Sequence, residues 1–158
     1  MQVENIMHKG AKSFSHNATL EELANAMWTD DLGIVPVVDD EEKLKGVITD
    51  RDIAIAAALK HRPLWDIRAD ELTGSQSCHY CQSEDDIHAV LQEMSENKVR
   101  RMPVVDSEQH LVGMVSLKDI VDHTKVAAKR RKGDSLTSDE VLETLQKICR
   151  PNALQEVA

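Results

Sequence analysis

Apolar residues fall at helical spacing in two places, Leu20, Leu23, Ala24, Met27 and Ile87, Val90, Leu91, Met94, and the second set lies 67 residues after the first. Each set predicts an amphipathic helix with one buried stripe, over Leu20–Trp28 and Asp86–Glu96. Asn17 or Thr19 is placed to cap the first and Ser83 the second. Short apolar runs follow at the same offset and read as paired strands: Ile34–Val38 with Leu44–Thr49, and Arg101–Val105 with Leu111–Ser116. The acidic stretches Asp39–Lys43 and Asp106–His110 supply the hairpin turns. Pro36 and Pro103, which lack an N–H, are expected at a strand's start or edge. A second helix follows each hairpin, over Arg51–Lys60 and Lys118–Ala128, with Thr49 or Asp50 and Ser116 at the caps. Extended pieces, Lys12–Ser15 and Cys78–Gln82, open each unit. His61–Gly74 reads as the linker between units.

The patterning is a duplication. Residues 36–53 and 103–120 share nine of 18 positions, among them Pro36/Pro103, Asp39/Asp106, Gly46/Gly113, Asp52/Asp119 and Ile53/Ile120. A unit of this length cannot bury its apolar face alone, so the copies should share a pseudo-symmetric fold. Beyond residue 125 the repeat stops. Lys129–Lys132 is basic and reads as the solvated end of a helix. Thr137-Ser138-Asp139-Glu140 then reads as a capping box for an amphipathic helix, Ser138–Cys149, ended by Pro151. This helix is expected to pack on its own chain or to complete a dimer.

Composition narrows the function classes. The formal charge of −9 on 158 residues opposes a nucleic-acid binder. No apolar run approaches 18 residues, which opposes a membrane span, and no leader pattern is present, so a cytoplasmic protein is expected. Three cysteines do not suggest a disulfide scaffold. Cys78-His79-Tyr80-Cys81 has a metal-ligand spacing but no second pair, so no metal is expected. No nucleophile–base–orienter set and no Gly-rich phosphate loop occurs, and a non-enzyme is expected.

The candidate chemistry lies where each hairpin meets its second helix, in Gly46-x-x-Thr49-x-x-Asp52 and Gly113-x-x-Ser116-x-x-Asp119. The glycine would let a ligand approach the strand backbone. The hydroxyl and the free helix N–H groups can hold an anion. The carboxylate can accept hydrogen bonds from vicinal hydroxyls. Arg51 and Lys118 add positive charge beside each motif. One such motif alone is commonly just a helix cap; two at equal places favour a ligand site.

These motifs, with VENIM at 3–7, GVITDRDIA at 46–54 and VRRMPVVD at 99–106, resemble the cystathionine-β-synthase (CBS) domain in tandem, a Bateman module. The wording is similar to small stand-alone bacterial CBS-pair proteins, and the resemblance covers roughly 3–125. It implies an α/β fold of two β-α-β-β-α repeats packed about a pseudo-twofold axis, with a C-terminal helical tail. The expected division is repeat 1 over 1–62, repeat 2 over 63–126 and the tail over 127–158.

The resemblance also implies clefts for an adenine nucleotide, AMP, ATP or NAD(H), and a regulatory, signal-sensing role. It assigns Thr49 and Asp52 to one cleft and Ser116 and Asp119 to the other. Adenine would be gripped by Ser13, Phe14, Ile34, Val35 and Pro36 in the first copy. In the second copy the grip would come from Tyr80, Cys81, Arg101, Met102 and Pro103. Arg100 or Arg101 is expected to serve the Thr49/Asp52 cleft, making it the site for charged nucleotides and leaving the Ser116/Asp119 cleft weaker or suited to a less charged group. A homodimer and a protein target of unknown identity are expected partners. The rival reading is a nucleotide-indifferent dimerisation or adaptor protein that uses the tail helix.

Overall fold

The computed structural model describes residues 1–74, 78–127 and 138–149. Its elements in chain order are β1 (His8–Lys9), β2 (Phe14–Ser15), α1 (Leu20–Thr29), β3 (Ile34–Val38), β4 (Leu44–Thr49), α2 (Asp50–Lys60), α3 (Asp70–Thr73), β5 (Cys81–Gln82), α4 (Ile87–Asn97), β6 (Arg101–Val105), β7 (Leu111–Ser116), α5 (Leu117–Ala127) and α6 (Ser138–Cys149). The sheets run β2-β3-β4 and β1-β7-β6-β5. This is the α/β arrangement of two β-α-β-β-α repeats with a tail helix.

The two hairpins are built alike. In each, an aspartate closes the turn: Asp39 Oδ1 accepts from the N–H groups of Glu41 and Lys43, and Asp106 Oδ1 from those of Glu108 and His110. The turns meet across the pseudo-twofold. Leu44 N–H donates to Gln109 O at 3.1 Å, and Leu111 N–H donates to Glu42 O at 3.2 Å. Each bond maps onto the other by the 67-residue offset.

Pro36 and Pro103 sit mid-strand, opposite Val47 and Met114, rather than at a strand's start. The fold accommodates them because β2 and β5 are two residues long and pair only from Val37 and Val104 onward. The flank of the strand beside each proline therefore needs no N–H.

Leading segments are exchanged between halves. Residues 1–7 pack on repeat 2: Val3 N–H donates to Asp85 O, Glu4 N–H to Ser83 O, and Met1 O accepts from Ile87 N–H. β1 continues the exchange by pairing with β7. The 61–74 segment folds into a 3-10 turn at Leu64–Asp66 and the short α3. It packs on repeat 1 through Leu20 N–H to Ile67 O and Ala69 N–H to Ala18 O. Two apolar cores result. One joins Ile67 and Ala69 to Leu20, Leu23, Val35, Val37 and Ile48; the other joins Val3 and Ile6 to Ile87, Met94, Met102, Val104 and Ile120.

Thr19 caps α1 in a reciprocal capping box with Glu22. The α4 cap is Asp86, not Ser83: its carboxylate accepts from His88 N–H, while Ser83 N–H goes to Val105 O. The tail helix α6 packs on its own chain. Val141 and Thr144 are buried, Leu145 and Ile148 join the repeat 2 core, and Glu140 Oε1 meets His88 Nδ1 at 2.8 Å. The basic run 129–132, Thr137 and Pro151 lie outside the described residues.

Candidate functional site

Both motifs form capping boxes of matching geometry. Thr49 N–H and Oγ1–H donate to Asp52 Oδ2 at 2.8 and 2.6 Å, and Asp52 N–H returns to Thr49 Oγ1 at 3.2 Å. Ser116 and Asp119 repeat the three distances, 2.8, 2.6 and 3.2 Å. The hydroxyl and one carboxylate oxygen are therefore spent on starting the helix. Among the described residues the other oxygen, Oδ1, accepts nothing in either aspartate, so it is the atom left for a ligand.

The glycines have a different duty from the one expected. A Cβ at Gly113 would lie 2.6 Å from His8 O, because β1 crosses there. At Gly46 it would lie 2.9 Å from Thr73 Cβ on α3. They admit the exchanged segments and leave no room for a ligand at the strand backbone.

A cavity of about 390 Å³ opens between the halves. Ser116, Asp119, Met114 and Arg101 of repeat 2 line one side and Gly33, Ile34 and Pro36 the other, with His8, Gly10–Lys12 and Asp30–Leu32 completing the lining. Its size falls in the ordinary range for small-molecule sites, roughly 300–1,000 Å³. Lys12 is committed to Asp30 at 2.7 Å, while Arg101 makes no side-chain hydrogen bond or ion pair among the described residues. A second cavity, about 610 Å³, adjoins it through Gly33, Arg101 and Ser116 and adds Arg100, Lys118 and Leu145 of α6.

Two sequence assignments change here. The Arg101 side chain lines the Ser116/Asp119 cavity, whereas its charge was expected to serve Thr49/Asp52. Hairpin register is the reason: Arg101 lies opposite Ser116 in the β6–β7 ladder, and cross-strand neighbours project from the same face. Ile34 and Pro36 likewise face the Ser116/Asp119 motif, across the repeat boundary.

Other expected residues do not line this cavity. The Val35, Met102 and Cys81 side chains are core, Phe14 packs against the repeat 1 core, and Ser13 is half-buried beside it. Arg51 is exposed, and Lys118 is turned to Asp122 at 2.8 Å. Tyr80 is partly exposed and Pro103 buried, both in repeat 2. The counterpart of His8–Lys12 in the Thr49/Asp52 cleft is 75–79, partly outside the described residues. His8, Gly10, Lys12, Asp30, Asp31 and Met114 were missed from sequence. The periodic pattern gives no sign of them, since all but Met114 lie in the leading segment or after the end of α1, and Met114 is an ordinary β7 strand position.

Burial pushes the Cys78 thiol up and the Cys81 thiol to about 12, which opposes the thiolate that zinc or redox work needs. Among the described residues no group of three or more His, Cys, Asp or Glu could hold a metal ion, and no helix is long and apolar enough to cross a membrane.

The CBS domain profile matches the chain twice, over residues 3–58 and 71–125, and the chain belongs to the CBS domain family. Over 149 residues it is 32% identical to hypoxic response protein 1 of Mycobacterium tuberculosis, covering 94% of each chain. The crystal structure of that protein, with two coordinated zinc ions, superposes with a TM-score of 0.71 over 78% of this chain and 98% of its own. Inosine-5'-monophosphate dehydrogenase of Methanocaldococcus jannaschii is 32% identical over 140 residues, 87% of this chain but 27% of the enzyme. The CBS domain pair of protein MJ0100, in complex with 5'-methylthioadenosine and S-adenosyl-L-methionine, is 26% identical with a TM-score of 0.67, covering 77% of this chain and 98% of that one.

Proposed function

We propose that the chain is a non-catalytic regulatory module that binds an adenosyl ligand in the Ser116/Asp119 cavity and signals through a ligand-dependent change in how its halves sit together. The observation that carries this is the open Asp119 Oδ1 set beside an apolar wall, Ile34 and Pro36, and an uncommitted arginine. In this reading Asp119 accepts from the ribose hydroxyls, the apolar wall takes the adenine, and Arg101 takes a single negative group. The adenosyl ligands of the MJ0100 pair support the ligand class. Three carboxylates on the wall, Asp30, Asp31 and Asp119, against Lys12 and Arg101, disfavour a triphosphate. Thr49 and Asp52 form the weaker second cleft. The tail helix is used within the chain, which leaves the adaptor reading without its binding element.

Thermal unfolding with AMP, ATP, NADH, 5'-methylthioadenosine or S-adenosylmethionine tests this. A ligand at 100 times its Kd adds about 2.7 kcal/mol to the folded state, a rise of several degrees in Tm. AMP and the thioether nucleosides are expected to raise Tm more than ATP. Asp119→Ala should abolish the rise and Asp52→Ala should leave most of it. No rise with any ligand would return the adaptor reading; equal loss in both variants would sink the assignment of the cleft.

A further inference from the structure

The tail helix does more than cover repeat 2. The cavity of about 610 Å³ shares Gly33, Arg101 and Ser116 with the Ser116/Asp119 site, so a ligand held at Asp119 has this space beside it. Arg100 and Arg101 line it with guanidinium groups that make no hydrogen bond or ion pair among the described residues. Leu117 N–H donates to Arg100 O at 2.9 Å, which ties the strand end bearing both arginines to the start of α5. Its apolar lining is Leu117 and Val121 of α5 with Leu145 of α6. Leu145 lies outside both matched CBS segments, so this part of the lining is an addition to the repeats. The hold on α6 is slight. Val141, Leu145 and Ile148 pack against the repeat 2 core, while Leu142 is 54% exposed. On the other side of α6, a groove of about 630 Å³ separates it from α4 and is lined by Ser95. Ser95 is buried, and its hydroxyl has no hydrogen-bond partner among the described residues, which penalises the packed arrangement. The nearby His88–Glu140 pair is partly exposed and therefore screened.

We propose that α6 is a latch on the ligand cleft: docked, it walls the space in front of Arg100 and Arg101 and tightens binding of a nucleoside phosphate, and the bound phosphate in turn holds α6 docked. The proposal rests on the adenosyl reading of the Ser116/Asp119 cavity and adds the element that reports its occupancy. Leu145 excludes water beside the two arginines, and less polar surroundings strengthen their attraction for an anion. The helix is oriented for this. Its carboxylates Glu140 and Glu143 line the α4 groove, so an anion in the cleft meets Leu145 instead of a like charge. Asp50, on the repeat 1 side, is the one carboxylate among the residues lining this space. Coupling between two equilibria is reciprocal, so whatever α6 adds to ligand affinity the ligand returns to α6 docking. A helix of 12 residues is marginal by itself in water, so α6 loses its backbone protection on release.

Hydrogen exchange across 138–149, with AMP titrated onto the full chain, reads both sides of the coupling. In the wild type AMP should slow α6 exchange about 10-fold, and Asp119→Ala should remove that effect. Val141→Asp puts a charge into the packed face of α6, and Glu140→Lys sets a cation against His88; neither residue lines the ligand cleft. Each should speed α6 exchange and weaken AMP binding, about 10-fold for Val141→Asp and less for Glu140→Lys. Amides of the β6–β7 ladder serve as the reference for an intact fold, and the surface variant Glu140→Lys decides the matter if Val141→Asp disturbs the repeat 2 core. Ser95→Ala removes the unmet hydroxyl and should slow α6 exchange. Faster α6 exchange with AMP affinity unchanged in Glu140→Lys would overturn the latch and leave the cleft assignment standing. So would AMP that binds the wild type and leaves α6 exchange as it was. A wild type that binds no AMP would remove the cleft reading and the latch together.

Discussion

Repeats 1 and 2 agree wherever the backbone is constrained and differ wherever a side chain meets something outside its own repeat. Positive φ recurs at Asp31 and Lys98 (both 54°) and at Glu42 and Gln109 (61° and 71°). The register shift at Val37/Val38 recurs at Val104/Val105, and the capping boxes share their distances. All of these pairs are 67 residues apart. The differences are Ile34 against Arg101 at the head of the hairpin, an apolar α2 against a polar α5, and a tail helix on one side alone. Duplication thus preserved the turn, bulge and cap chemistry, and left the ligand-facing, tail-facing and solvent-facing positions free to diverge.

The motif glycines give the sharpest way to break that comparison. Gly113→Ala forces a methyl against the His8 carbonyl, a backbone atom fixed by the β1–β7 ladder, and is expected to cost about 3 kcal/mol. Gly46→Ala meets a side chain, Thr73, on a helix of four residues that can shift, and should cost about 1–2 kcal/mol. Urea unfolding of both variants measures the gap. Equal costs would mean that α3 is held as rigidly as β1.

Most of the fold was legible because it rests on local periodicity: all four hairpin strands, both helical stripes and α6 lie where the pattern puts them. The exchange of leading segments was not, because Val3 and Ile67 carry no sign of which half they will fill; only long-range packing decides it. The Arg101 position was readable in principle. Pairing the hairpin residue by residue sets 101 opposite 116, whereas the family resemblance sent it across to the other cleft.

The capping boxes offer a second, smaller probe. Thr49→Val and Ser116→Ala each remove a hydroxyl that accepts a helix N–H and holds the aspartate, and each should cost about 1 kcal/mol. Equal stability loss with unequal ligand loss, larger for Ser116→Ala, would separate the shared structural role from the divergent one. A stability gap as large as the loss itself would mean that the boxes are not equivalent in solution despite matching distances.

The smallest effect lies in how the exchanged segments are tied. Both segments are held by backbone bonds, but among the described residues the one on repeat 2 adds only a long ion pair, Met1 N to Asp86 at 3.8 Å, whereas the one on repeat 1 adds short pairs of Glu71 with Lys60 and Arg62 at 3.0 and 2.9 Å. The backbone N–H of Arg68, then Lys60 and Arg62, bring the Glu71 carboxyl down to about 2 from 4.5. Its pKa is lower folded than unfolded, so the tie stabilises above about pH 4.5 and is lost as pH falls through 2. The group is solvent-exposed, and screening keeps the effect small. Glu71→Gln should therefore melt slightly below wild type at pH 7, with the two curves converging towards pH 2. Hydrogen exchange should be faster at Leu20 N–H, which donates to Ile67 O, and unchanged at Val3 N–H. A pH-independent gap would trace the loss to packing instead of charge. Equal exchange at both amides would show that the two segments are tied alike, and the asymmetry between repeats would then end at the site, the tail and the outer face of α2.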